Sequence, residues 1–171
     1  MSAQAAFRDR LAWIPEQGEL RDGEARYVLM RHDSLMGLFR NLPESARGAA
    51  LDALAASVAL HGARSAERYR RAGGGEGDAL LATIEATAPQ LGWGVWRIER
   101  AGAELRLEVE NSPFAAGHGP SSAPVCAPIA GMLQAVAGLV LGAPARARED
   151  ACAAAGASMC RFHAVRSEKD G

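Results

Sequence analysis

Aromatic residues make up only 5% of the 171 positions, and cysteine occurs three times. An odd, small cysteine count excludes a complete disulfide framework and suits a reducing compartment. Charge of one sign is also missing. With 19 basic and 20 acidic residues the formal net charge is -1, so the balance gives no reason to expect a nucleic-acid partner or an anionic membrane surface. Residues 1–10 carry Arg8, Asp9 and Arg10 and no long apolar run, which excludes a secretory leader and makes the cytosol the expected compartment. No nucleophile triad, acid–base carboxylate pair or nucleotide loop stands out. The glycine-rich run at 72–77 follows a helical stretch instead of a strand and lacks the Lys-Ser/Thr ending of a phosphate loop.

Long apolar runs are scarce too. The best, 124–141, is uncharged but is interrupted by Pro124, Pro128 and Gln134, and it carries small residues at Gly131, Ala135, Ala137 and Gly138. A span needs roughly 20 predominantly apolar residues. The run therefore reads as a helix packed tightly inside protein, and no membrane span is expected.

The rest of the chain supplies regular elements for one domain, 1–171, in three parts. The first, about 20–91, holds an N-terminal strand and helices. Residues 25–31 are β-prone and feed a helix from Leu35 to Asn41, with His32, Asp33 and Ser34 as capping candidates. Pro43 suits a first helical position, and the stretch to Arg71 places Leu51, Leu54 and Val58 on one stripe. Arg64, Arg68, Arg70 and Arg71 then fall at the helix end, where cations suit the helix dipole. After the 72–77 linker, Asp78 caps a helix that Gly92 stops. The second part, 93–110, is a hairpin turning at 101–103. Leu105, Leu107 and Val109 alternate with charged neighbours, so one sheet face is buried and the other wet. The third part begins with a loop at 111–123. Ala145–Ala155 has helix propensity, but Gly156 and the β-prone 159–166 leave helix-then-strand or a strand hairpin open.

All three cysteines lie after residue 125. Cys126, Glu149, Cys152 and Cys160 together offer three thiolates and a carboxylate, a donor set that completes a closed tetrahedral zinc site. Soft sulfur argues against magnesium or calcium, and four protein ligands argue against a catalytic zinc with an open position. Three buried small hydrophobes and a solvated glutamate are the alternative reading of the spacing alone.

Asn111-Ser112-Pro113-Phe114-Ala115, then Pro124-Val125-Cys126 with Gly131, then Glu149-x-x-Cys152-x-Ala154-x-Gly156-x-x-x-Cys160-x-Phe162-x-x-Val165 resemble the 4-vinyl reductase domain family. That family also forms the sensory domain of phenol-responsive transcriptional activators. The resemblance is close from about Asp78 to Arg166 and loose before. It implies zinc on Cys126, Glu149, Cys152 and Cys160, acting as a structural clamp. It implies an α+β fold, a four-stranded antiparallel sheet with helices on one side, similar to TRAPP-type transport proteins and usually dimeric. It also implies that 145–155 forms a strand paired with 158–166. Glu149 and Cys152, three apart, would then point to opposite faces of a regular strand, so a bulge is expected between them.

The resemblance further implies an enclosed pocket for a small hydrophobic or aromatic molecule. Candidate lining residues are Trp93, Trp96, Phe114 and Tyr69, with Leu105, Leu107 and Met132, and His61 is the candidate polar anchor. Ordinary core packing is the alternative for each. No His–Trp pair equivalent to that of the phenol sensors can be placed, so phenol itself is not implied. Three functions follow as expectations. A zinc-containing binding module of sensory or carrier type needs no catalytic group. A reductase would need a nicotinamide, flavin or metal electron source that no motif supplies, so the expectation leans away from an enzyme. A thiol and zinc redox sensor or scaffold would use the cysteines themselves. The polar tail after Ser167 carries no regulatory domain, so signalling would pass through a homodimer or a separate partner.

Overall fold

The structure, a computed structural model, describes residues 6–167; the polar tail 168–171 and residues 1–5 lie outside that range. Two antiparallel sheets and six α-helices occupy it. The main sheet has four strands, β4 (Val95–Ala101), β5 (Glu104–Glu110), β6 (Ala145–Ala151) and β7 (Cys160–Arg166), in the order β4-β5-β7-β6. A two-residue turn at Gly102 (φ +63) and Ala103 sets Ala101 opposite Glu104, as the hairpin pattern predicts. Alternation then fixes the faces. Leu105, Leu107 and Val109 of β5 and Cys160, Phe162 and Ala164 of β7 are buried. Their neighbours Arg106, Glu108, Arg161 and His163 point outward and join cross-strand pairs such as Arg161–Glu108 at 3.1 Å and His163–Asp150 at 2.7 Å.

Helix α6 (Ala127–Leu141) covers the buried face, and α3 (Glu44–Tyr69) crosses α6 from outside. Small residues allow the close approach: a Cβ on Gly131 would meet the Ala55 carbonyl oxygen at 2.3 Å. The abundance of alanine thus serves helix–helix packing. The apolar run at 124–141 becomes this helix, with Pro128 in its first turn, and among the described residues no helix is long and apolar enough to cross a membrane. Helix α4 (Asp78–Thr87) packs on β4, followed by a 3-10 turn, Ala88–Leu91, that Gly92 ends in the left-handed region. The basic cluster sits where the dipole argument puts it, at the end of α3, with Arg70 and Arg71 paired to Glu67.

Several boundaries differ from expectation. Helix α2 spans His32–Asn41, three residues earlier than predicted, and no side chain caps it. Asp33 instead accepts hydrogen bonds from Arg31. Pro43 and Gly77 are the N-cap residues of α3 and α4, so each helix starts one residue beyond its predicted punctuation or on it, without a side-chain cap. The strand predicted at 25–31 shortens to β3 (Ala25–Tyr27) and belongs to a separate three-stranded sheet with β1 (Ala12–Ile14) and β2 (Glu19–Asp22), preceded by α1 (Phe7–Arg10). Asp22 ties this sheet down, accepting from Arg10 Nη2 at 3.1 Å and from Arg68 Nη2 of α3 at 3.3 Å. The expected loop at 111–123 contains a sixth helix, α5 (Pro113–His118). Ser112 caps it by accepting the Ala115 N–H at 3.3 Å, and Pro113 occupies its first turn.

Candidate functional site

The four candidate ligands come from three places in the fold. Cys126 is the N-cap of α6, and its carbonyl accepts the N–H groups of Ile129 and Ala130 at 2.9 and 3.2 Å. Cys160 opens β7, directly opposite Val109 of β5. Glu149 lies in β6, opposite Phe162, and Cys152 just beyond the strand's end. The register shifts between Glu149 and Ala151. That irregularity is the expected bulge. An extra residue in one strand rotates the residues after it, so Glu149 and Cys152 converge although three apart.

One ligand atom from each of Cys126, Glu149, Cys152 and Cys160 lies within 4.8 Å of all the others. The Cys126 sulfur is 3.6 Å from that of Cys160 and 3.9 Å from that of Cys152. None of the three is in a disulfide, and all are buried. The Cys126 N–H donates to Glu149 Oε2 at 2.8 Å, the Ala153 N–H to Cys160 Sγ at 3.3 Å, and Ser112 Oγ lies 3.2 Å from Cys126 Sγ. Glu149 Oε1 is buried with no partner among the described residues.

The electrostatics fit a cation. Burial pushes the Glu149 carboxyl up to about 8, with the Cys152 thiol contributing. Contact with Cys152 and Cys160 raises Cys126 far above the ordinary thiol range, while the hydrogen bonds that Cys160 receives from Cys126 and Cys152 pull it down. Four acidic groups in one dry space cannot all ionise unless a positive charge joins them. Sulfurs on a tetrahedral zinc, each at about 2.3 Å, are separated by about 3.8 Å. The observed 3.6 and 3.9 Å bracket that spacing, and Glu149 Oε1 is a free fourth donor. The residues therefore fit zinc as a group that would hold β6, β7 and the start of α6 together.

A second feature lies on the other side of the core. A cavity of about 400 Å³ opens between α3, the 3-10 turn after α4, the start of β4 and the N-terminal sheet. Of the sequence-predicted pocket residues, Trp93, Trp96, Met132, Tyr69 and His61 line it. His61 is exposed, at the rim. Leu105, Leu107 and Phe114 do not line it. The two leucines face the core from β5 with essentially no exposure, because the strand's inner face is covered by α6 and not by the cavity. Phe114 stands behind the wall, edge-on to Trp93 at 5.1 Å and 90°.

Sequence reasoning missed Phe7, Leu20, Tyr27, Gly62, Thr87 and Gln90. The N-terminal residues belong to elements too short to show a period. Gly62 did leave a signal, since an isolated glycine inside a helical pattern needs a packing reason. Several polar groups of the wall are already committed: Trp96 Nε1 donates to the Trp93 carbonyl at 3.0 Å, the Thr87 hydroxyl to Thr83 O at 2.7 Å, and Gln90 Nε2 to Ala86 O at 2.8 Å.

Known proteins share this architecture. The phenol-responsive sensory domain of the transcription activator PoxR, solved with phenol, superposes with a TM-score of 0.79 over 95% of this chain and 89% of its own, at 21% identity. A vinyl-4-reductase family protein from Methanocaldococcus jannaschii gives 0.52 at 13% identity, covering 83% of this chain and 98% of its own. A trafficking protein particle complex subunit 3 from Naegleria fowleri, covalently bound to palmitic acid, gives 0.53 at 11% identity, covering 80% and 95%. At these identities the likeness is one of fold. No curated protein matches the sequence. The model of the 4-vinyl reductase domain matches residues 105–166, the stretch from β5 through β7 that carries all four clustered ligands. By that match, and by its fold, the chain belongs with the 4-vinyl reductase domain proteins.

Proposed function

We propose that this protein is a zinc-containing binding module for a small hydrophobic or aromatic molecule, acting as a sensor or carrier. The observation that carries the reading is the cavity of about 400 Å³, walled by Trp93, Trp96, Tyr69 and Met132. Ligand sites are typically apolar concavities of this size with few polar groups. The shared fold with the phenol-responsive domain of PoxR supports a small aromatic ligand. Zinc is supported by the sulfur spacing and by the unpartnered Glu149 oxygen. Cys126, Glu149, Cys152 and Cys160 would hold it in a closed shell, which supplies fold stability and leaves no open position for Lewis-acid chemistry.

A homodimer is supported by three consecutive exposed apolar residues, Val28, Leu29 and Met30, at 78%, 74% and 60% exposure, two of which also line the cavity. A cytosolic location is supported by three free cysteines in one buried cluster. Native mass spectrometry of freshly purified protein tests the metal and the dimer together: one zinc per chain and a two-chain assembly are expected. Titration with neutral aromatic compounds, followed by the fluorescence of Trp93 and Trp96, tests the cavity. Protein without metal, or fluorescence indifferent to every such compound, would overturn the corresponding half of the reading.

A further inference from the structure

The chain is poor in aromatic residues, yet five of its nine, Phe7, Tyr27, Tyr69, Trp93 and Trp96, line this cavity. They stand on opposing elements. Phe7 and Tyr27 come from the N-terminal sheet side, packed edge to face at 5.4 Å, and Trp93 and Trp96 come from the start of β4, their rings 6.4 Å apart. Flat walls on two sides suit a flat occupant, since aromatic rings gain from offset and edge-on contacts.

Size and charge narrow the occupant further. An apolar cavity of roughly 150 Å³ accommodates a single benzene ring, and this one has about 400 Å³. That is space for two to three rings. Among the described residues, no Asp, Glu, Lys or Arg lines it. Two nearby charges, Arg10 over the Tyr69 ring at 5.2 Å and Asp22, neutralise each other behind the wall. With Trp96, Thr87 and Gln90 already hydrogen-bonded within the protein, the wall asks for little polarity from the ligand.

Gly62 holds the cavity at this size. Glycine is an unfavourable choice inside a helix, and Gly62 lies well within α3, buried. A Cβ there would meet Met132 Cε at 2.9 Å and Sδ at 3.0 Å. Both residues line the cavity. Because Met132 presents the far end of a flexible side chain, an added methyl would displace the thioether instead of breaking the helix contact, and cavity space is where it can go.

Resting on the reading of this cavity as a ligand site, we infer that it selects neutral fused aromatic molecules of two or three rings over single rings, and that Gly62 sets this limit by letting Met132 lie against α3. The test is binding of phenol, 2-naphthol and phenanthrene to the full chain, followed by tryptophan fluorescence and calorimetry. The dissociation constant should fall at least tenfold from phenol to 2-naphthol. In Gly62→Ala, 2-naphthol and phenanthrene should weaken at least tenfold while phenol changes less than threefold, the range expected when a pocket loses about one methylene of space. Adding Met132→Ala to Gly62→Ala should restore them. Phenol binding as tightly as 2-naphthol overturns the inference and leaves the ligand-binding reading standing. Equal weakening of all three compounds in Gly62→Ala also overturns it, as would failure of the double variant to recover. If none of the three binds the wild type, both the inference and the reading beneath it fall.

Discussion

Replacing Cys160 separates a metal centre from a mere cluster of buried sulfurs. Cys160 has no exposure, its sulfur is 3.6 Å from Cys126 and accepts the Ala153 N–H, and it anchors the start of β7. If the cluster were only packed thiols, Cys160→Ala would remove one heavy atom from the core and cost about 1–2 kcal/mol in lost transfer and cavity energy. If zinc is bound, the same substitution removes a ligand from a group whose binding is worth on the order of 10 kcal/mol in small zinc domains. That is comparable with the whole stability of an ordinary domain, about 5–15 kcal/mol. Cys160→Ala should therefore lose at least about 4 kcal/mol. Val109 is the internal control. It sits opposite Cys160 in the ladder with equally little exposure, and Val109→Ala should cost about 2 kcal/mol through packing alone. Guanidinium denaturation followed by circular dichroism, with and without a chelator, reads all three. Chelator should lower the midpoint of wild type and Val109→Ala and leave Cys160→Ala unmoved. A cost under about 2 kcal/mol for Cys160→Ala, the packing-only value, with a wild-type midpoint indifferent to chelator, would refute the metal centre.

Three further outcomes follow from the same geometry. Glu149 ionises near 4.5 in the unfolded chain and near 8 when buried, so between those values the folded metal-free protein keeps a proton that the unfolded chain has lost. Stability of chelator-treated protein should then fall as pH rises from about 5 to about 8, by about 3 kcal/mol after allowance for partial exposure, read by thermal melting. The zinc-loaded protein should gain stability over that range because its ligands bind deprotonated, and Glu149→Gln should flatten the metal-free profile. Asp22→Asn leaves Arg10 and Arg68 facing a neutral amide and should cost about 1–2 kcal/mol, with limited proteolysis advancing at 10–31 before the main sheet opens. Gly131→Ala places a methyl 2.3 Å from the Ala55 carbonyl oxygen, where backbone cannot swing aside. It should cost about 3 kcal/mol by thermal melting, and a silent substitution would mean that α3 and α6 lie farther apart.

The sequence carried the main sheet because its strands alternate strongly: Leu105, Leu107 and Val109, then Cys160, Phe162 and Ala164, each find the face their spacing predicts. Strand β6 was illegible by propensity, since Ala145–Ala151 is composed of alanine, arginine and acidic residues that favour helix. Pairing with β7 overrides that preference, and only a family resemblance could anticipate it. Strands β1, β2 and β3 have three or four residues each, below the length at which a period of two can be read. Helix α5 was readable in principle from Ser112 and Pro113, but six residues rich in alanine and glycine show no stripe. The cavity was half legible for a different reason. Aromatic residues identify themselves as wall candidates, whereas a glycine that makes space, such as Gly62, gains its meaning only from the Met132 side chain above it.

The cysteine cluster and the cavity share a physical connection. Ser112 Oγ touches the Cys126 sulfur at 3.2 Å and, with the same atom, caps α5 by accepting the Ala115 N–H. The next residue but one, Phe114, stands perpendicular to Trp93, and Trp93 is cavity wall. From sulfur to cavity the path thus runs through one hydroxyl, one helical turn and one ring contact, every member of it buried or half-buried. Close-packed groups of this kind move together or not at all. Whatever fixes the Cys126 sulfur in place therefore also fixes the orientation of Trp93. The cluster's value to a binding protein lies there: four ligands with no open position perform no chemistry on a bound molecule, but they hold still the wall against which it would rest.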